Sequence, residues 1–135
     1  MRSLFEDNRE EANSLQMILQ ELQNVGGFKA VVLTSTEGLP LAGVSGTSDK
    51  DIAAAMAVMV QRVTREAREE LGLAPLDEVM LRDAEETRLI SRYFTVGEDS
   101  FILAALVPKG QPYRHLTNQT IRYVRELLLE EIRGG

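Results

Sequence analysis

Apolar positions along the chain follow two rhythms, helical in three stretches and strand-like in five. Leu15, Ile18, Leu19, Leu22 and Val25 recur at helical spacing, and Gly26 and Gly27 end that segment as a left-handed cap would. Its start has two candidates, because Ser3 to Glu6 and Asn8 to Glu11 both read as capping boxes. Phe28 to Ser35 is apolar and β-branched, which predicts a buried strand. Thr36 to Gly38 is a hairpin link, and Leu39 to Ser45 is the returning strand. Pro40 makes that strand an edge, since proline cannot donate to a ladder.

A second helix is expected from a cap at Ser48 or Asp49 to about Leu71, with Gly72 just past its end. Leu76 to Arg82, Thr87 to Val96 and Ser100 to Val107 then read as three strands. Their links, Asp83 to Glu86 and Gly97 to Asp99, are of hairpin length, so the three form an antiparallel meander. Pro108 to Gly110 breaks the last strand, and Pro112 suits the first position of a final helix. That helix carries Leu116, Tyr123, Val124, Leu127, Leu128 and Ile132 and ends at Gly134 and Gly135. The order is α-β-β-α-β-β-β-α, an α+β fold with a five-stranded antiparallel sheet. Phe28 to Leu33 and Phe101 to Leu106 look buried on both sides, so helices are expected on both faces.

The middle helix holds more apolar positions than one sheet can cover. Turning 100° per residue, Ile52, Met56, Val60, Val63, Ala67 and Leu71 fall within about a quarter-turn. They form a complete face for the sheet. Ala54, Ala57 and Val58 then point away, where a monomer would leave them wet. Gln61 and Arg65 continue that outer face, flanked by Arg62, Glu66, Arg68 and Glu69. A dry half next to a charged half resembles an interface core with its rim. Alanine alone would mean little, because it is simply the best helix former. Val58 and the nine-residue apolar run from Ile52 to Val60 favour an interface between subunits.

Composition removes several chemistries. The 135 residues fit one domain. There is no Cys, which excludes disulfides, thiolate zinc sites and a Cys nucleophile and fits a reducing, cytoplasmic setting. The longest apolar run is far too short to insert in a membrane. The N-terminal residues turn acidic too early for a signal peptide. The net charge of −6 argues against a nucleic-acid partner. His115 is the only His, so a metal site or a His-based catalytic pair is not expected. Adjacent Glu pairs, such as Glu69-Glu70 and Glu130-Glu131, point about 100° apart and do not converge. No phosphate loop is present, and Gly43 to Gly46 lacks the third spaced glycine of a dinucleotide site. No catalytic, cofactor-binding or metal-binding residue is therefore assigned. Arg88 and Arg92 share one side of their strand with Ile90 and Phe94. Either their stems pack while their heads reach water, or they dock an acidic partner.

The strand pair from Ala30 to Ala42, the Ala-rich helix after it, and the strands through Arg88 to Tyr93 and Phe101 to Val107 resemble the roadblock/dynein light-chain family. The resemblance covers nearly the whole chain, 1–135, as a single roadblock-like domain. It implies a profilin-like sandwich, with the middle helix on one face and the terminal helices on the other. It implies homodimers in which the middle helices pack together and the third strands pair. That places Val79 and Leu81 in the interface with Ala54, Ala57 and Val58. In many prokaryotic members it also implies a small Ras-like GTPase as partner, and the gliding-motility regulators of the family stimulate GTP hydrolysis. Gln61, Arg62, Arg65 and Arg68 are then candidates for partner contact. A dimeric scaffold with no effect on hydrolysis fits the same residues.

Overall fold

The computed structural model describes residues 4–46 and 52–134, with side chains for 13–46 and 52–131. The order is α1 (Leu4–Gly26), β1 (Ala30–Ser35), β2 (Pro40–Ser45), α2 (Ile52–Leu71), β3 (Glu78–Arg82), β4 (Arg88–Val96), β5 (Asp99–Val107) and α3 (Arg114–Gly134). The strands form one sheet in the order β2-β1-β5-β4-β3, antiparallel throughout. β2 and β3 are its edges. This is the α+β architecture expected from the hydrophobic rhythm, with helices on both faces.

Alternation along the strands sorts the core into two layers. Val31, Leu33, Ile90, Leu103, Ala105 and Val107 face α1 and α3, where Leu15, Leu19, Leu22, Val124 and Leu128 meet them. Ala30, Val32, Ile102 and Ala104 face the other way, against Met56 and Val60 of α2. Complete burial of side chains such as Leu19, Leu33, Ile90 and Leu103 contributes roughly 1.5–3 kcal/mol each. The central strands β1 and β5 are buried on both faces, which explains their unbroken apolar runs.

Boundaries and faces differ in places from the sequence expectation. α1 passes through Asn8, so the second capping box is not its start. Ser3, Ser48 and Asp49 lie outside the described residues, as do Gly135 and the side chain of Ile132. Val25, Leu71 and Tyr123 are exposed, not part of their helices' buried stripes. Pro112 precedes α3 by two residues. Tyr113 takes the cap position instead, its carbonyl accepting from Thr117 N at 2.9 Å.

Gly72 closes α2 in the left-handed region, at φ +68. Its N–H donates to Arg68 O at 3.1 Å, and Leu73 N donates to Ala67 O at 3.4 Å. The segment 73–77 then carries the chain from α2 to the far edge of the sheet.

Candidate functional site

Helix α2 lies over β1 and β2 and reaches β5, where Ile102 and Ala104 are buried against Met56 and Val60. On the same face, α2 meets β4 where Leu89 and Tyr93 pack beside Met56, Val60 and Thr64, and it leaves β3 partly uncovered. Val79 and Leu81 of β3 and Leu89 of β4 lie on that face, since pairing sets Leu81 opposite Leu89 and Val79 opposite Ser91. Leu81 is 45% exposed, and Val58 on α2 is 64% exposed. Ile52, Ala55, Met56 and Met59 on α2 and Leu81, Leu89 and Leu106 on the sheet wall an open hollow of about 410 Å³. The result is a continuous apolar surface from the outer side of α2 to the edge of β3.

The five expected interface residues fall on or beside this surface. Ala54 and Val58 are exposed, Ala57 is half-buried on the flank of α2, and Val79 and Leu81 lie on the partly uncovered strand. Ala55 and Met59 belong to it as well, although the sequence reading passed over them. Their signal was present in the same apolar run, on the side of α2 nearer β3.

Gln61 requires a correction. It does not continue the outer face of α2. It is half-buried, and its amide donates to Thr34 Oγ1 at 3.0 Å and to Ser35 O. The cause is a rotation of the buried stripe by roughly 30° from the position that apolar residues alone predict. Thr64 is the residue that shifts it. Thr64 is buried, its hydroxyl donating to Val60 O at 2.7 Å and sharing a 2.6 Å hydrogen bond with the Tyr93 hydroxyl. A threonine with its hydroxyl satisfied in this way can face a sheet as well as a valine can.

Arg62, Arg65 and Arg68 are exposed, and among the described residues none has a carboxylate within ion-pairing distance. Arg65 and Arg68 line a groove of about 870 Å³ at the C-terminal end of α2, with Leu73, Leu76, Tyr93 and Arg125 on its other walls. Burial pushes the Tyr93 phenol above its usual pKa, and the bond to Thr64 partly offsets this. Tyr93 is thus neutral near pH 7 and offers no general base.

Arg88 and Arg92 are structural. Arg88 donates to Pro108 O at 3.2 Å and Gln111 O at 2.6 Å and lies over the Tyr113 ring. Arg92 donates to Thr117 Oγ1 at 2.9 Å and to Asn118, and faces Glu78 at 3.9 Å. Both fix the start of α3 on the sheet. Glu86, at φ 66 in the β3–β4 turn, pairs with Lys109 and Arg82. Lys109 and then Arg82 hold its carboxyl below the usual range. His115 is exposed. Among the described residues no group of three His, Cys, Asp or Glu is placed to hold a metal. Among the same residues no helix is long and apolar enough to cross a membrane.

Residues 14–90, from α1 into β4, match a family model described as the Roadblock/LC7 domain. No curated protein matches the sequence. Among solved structures, the gliding protein mglB from Thermus thermophilus is similar at TM-score 0.68 and 15% identity, over 96% of this chain and 95% of that one. A structure described as MglB with tetrameric arrangement is similar at TM-score 0.67 and 16% identity, over 89% and 91%. A Roadblock/LC7 domain from Streptomyces avermitilis is similar at TM-score 0.65 and 21% identity, over 84% and 97%. At these identities the likeness is one of fold.

Proposed function

Because the chain belongs to the Roadblock/LC7 domain family, we propose that it is a homodimeric regulator of a small Ras-like GTPase, acting by protein contact in the cytoplasm. Residues 1–135 form one roadblock-like domain in this reading. The observation that carries it is the uncovered apolar surface from Val58 and Met59 of α2 to Val79 and Leu81 of β3. Such a surface marks an interaction site, and a second copy presents its complement by symmetry. Fold similarity to a gliding protein mglB, and to an MglB with tetrameric arrangement, supports an assembling protein of this kind.

The exposed arginines of α2 supply the partner surface. Arg62, Arg65 and Arg68 offer planar multidentate contacts to acidic or phosphate-bearing groups. GTP hydrolysis is accelerated mainly by positioning and charge stabilisation. A regulator therefore needs no bond-making chemistry of its own, and the protein is not itself an enzyme in this reading. A dimeric scaffold is the alternative. The two are separated by GTP hydrolysis of a purified cognate GTPase with and without this protein. A rise in turnover at saturating protein is the expected result. Binding with unchanged turnover leaves the scaffold, and the absence of binding removes both.

A further inference from the structure

β3 begins at Glu78, opposite Arg92, while β4 runs on to Val96. Carried back toward α2, the same register sets Asp77 opposite Tyr93 and Pro75 opposite Thr95. Tyr93 N still donates to Asp77 O at 3.1 Å. Pro75 has no N–H to give to Thr95, so the ladder stops there. Arg125 of α3 takes over, its Nε donating to Thr95 O at 3.2 Å. Thr95 N finds no acceptor on that side among the described residues.

This vacated edge borders the groove of about 870 Å³ at the C-terminal end of α2. Its size lies within the roughly 300–1,000 Å³ of small-molecule sites. Leu73, Pro75, Leu76 and the Tyr93 ring form its apolar wall. Its charged lining is Arg65, Arg68 and Arg125 with Glu37 and Glu69, three cations against two anions. Among the described residues none of the three arginines has a carboxylate within ion-pairing distance. Arg125 is held by Thr95 O and lies over the Phe94 ring, which leaves its Nη groups for a ligand. Gly72 N and Leu73 N already cap the carbonyls of Arg68 and Ala67, and this blunts the negative end of α2. Tyr93 is not an anion donor, because its proton goes to Thr64, whose own goes to Val60 O.

We propose that this groove binds a small organic oxyanion, a carboxylate or a phosphate monoester carried on an apolar body. The anionic group accepts from the arginines and from Thr95 N, and the body packs on Leu73, Pro75 and Leu76. Planar guanidinium forks suit both head groups. A net lining charge of one positive, with Glu37 and Glu69 present, selects against a polyphosphate. The site needs neither a GTPase nor a second copy, although it shares Arg65 and Arg68 with the partner surface proposed above.

Titrating the full isotope-labelled chain with phenyl phosphate, benzoate and inorganic phosphate, read by amide NMR shifts, tests this without any GTPase. At least one organic probe should give saturable shifts at Leu76, Tyr93 and Thr95 with a Kd of about 1 mM or tighter. The tighter of the two identifies the head group. Inorganic phosphate lacks the apolar body and should bind about tenfold or more weakly than the better organic probe. R68E and R125E should each weaken that probe about tenfold or more. Arg68 is exposed, so R68E gives the reading should R125E lose its fold by circular dichroism. The proposal is overturned if neither organic probe gives saturable shifts up to about 10 mM, or if the shifts lie on another surface. Equal affinity for inorganic phosphate reduces the groove to a bare cationic patch and overturns it too, as does a folded R68E that binds like the unmodified chain. Failure here leaves the GTPase reading standing. A chain that binds a probe but no GTPase loses that reading and keeps this site.

Discussion

Arg92 shows how a residue that looks functional in a sequence becomes structural in space. Its guanidinium sits on the α3 side of β4, donates to Thr117 Oγ1 and Asn118, and faces Glu78. It thereby joins β4, β3 and the first turn of α3. Hydrogen bonds from a charged group contribute roughly 1.5–3 kcal/mol. Arg92→Ala should lower the unfolding free energy by about 2 kcal/mol in a urea titration, with little effect at any partner surface. A loss below about 0.5 kcal/mol would return Arg92 to the surface role that its alternation with Ile90 and Phe94 also allowed. Gln61 illustrates the opposite misreading. Its position on α2 suggested a contact group, yet its amide is already held by Thr34 and Ser35.

The elements themselves were largely legible, because hydrophobic period and glycine position act locally. All eight elements, their order and the edge position of β2 follow from such signals. The faces of the helices were less legible. A count of apolar residues passes over Thr64, whose hydroxyl is satisfied by Val60 O and Tyr93, and so misplaces the stripe of α2. It also includes Leu71, which stands free at the helix end. Pro112 misled by the same kind of margin, since the buried Tyr113 and not proline sets the start of α3. The partly uncovered face of β3 depends on where α2 lies across the sheet, which no local signal encodes. One element boundary gives a clean test. Gly72 has no heavy atom near the position a Cβ would occupy, so its requirement is purely the left-handed backbone at φ +68. Gly72→Ala should destabilise the fold by about 1 kcal/mol, read as a lower melting temperature. An unchanged melt would mean that the end of α2 relaxes to another cap at no cost.

At the scale of the whole molecule, α2 leaves the β3 side of the sheet partly uncovered, and the exposed surface divides into an apolar field and an arginine-bearing end. Arg65 is exposed, so Arg65→Glu should leave circular dichroism unchanged and alter stability by no more than about 0.5 kcal/mol. The same change should weaken binding to a cognate GTPase in its GTP-bound form about tenfold or more. Unchanged affinity would remove the end of α2 from the partner site. The central claim is that a second copy covers the apolar field. Sedimentation equilibrium at micromolar concentration tests it most directly. The unmodified chain should sediment at twice its monomer mass and Val58→Arg at the monomer mass with its fold intact. A stable monomer for the unmodified chain would contradict it.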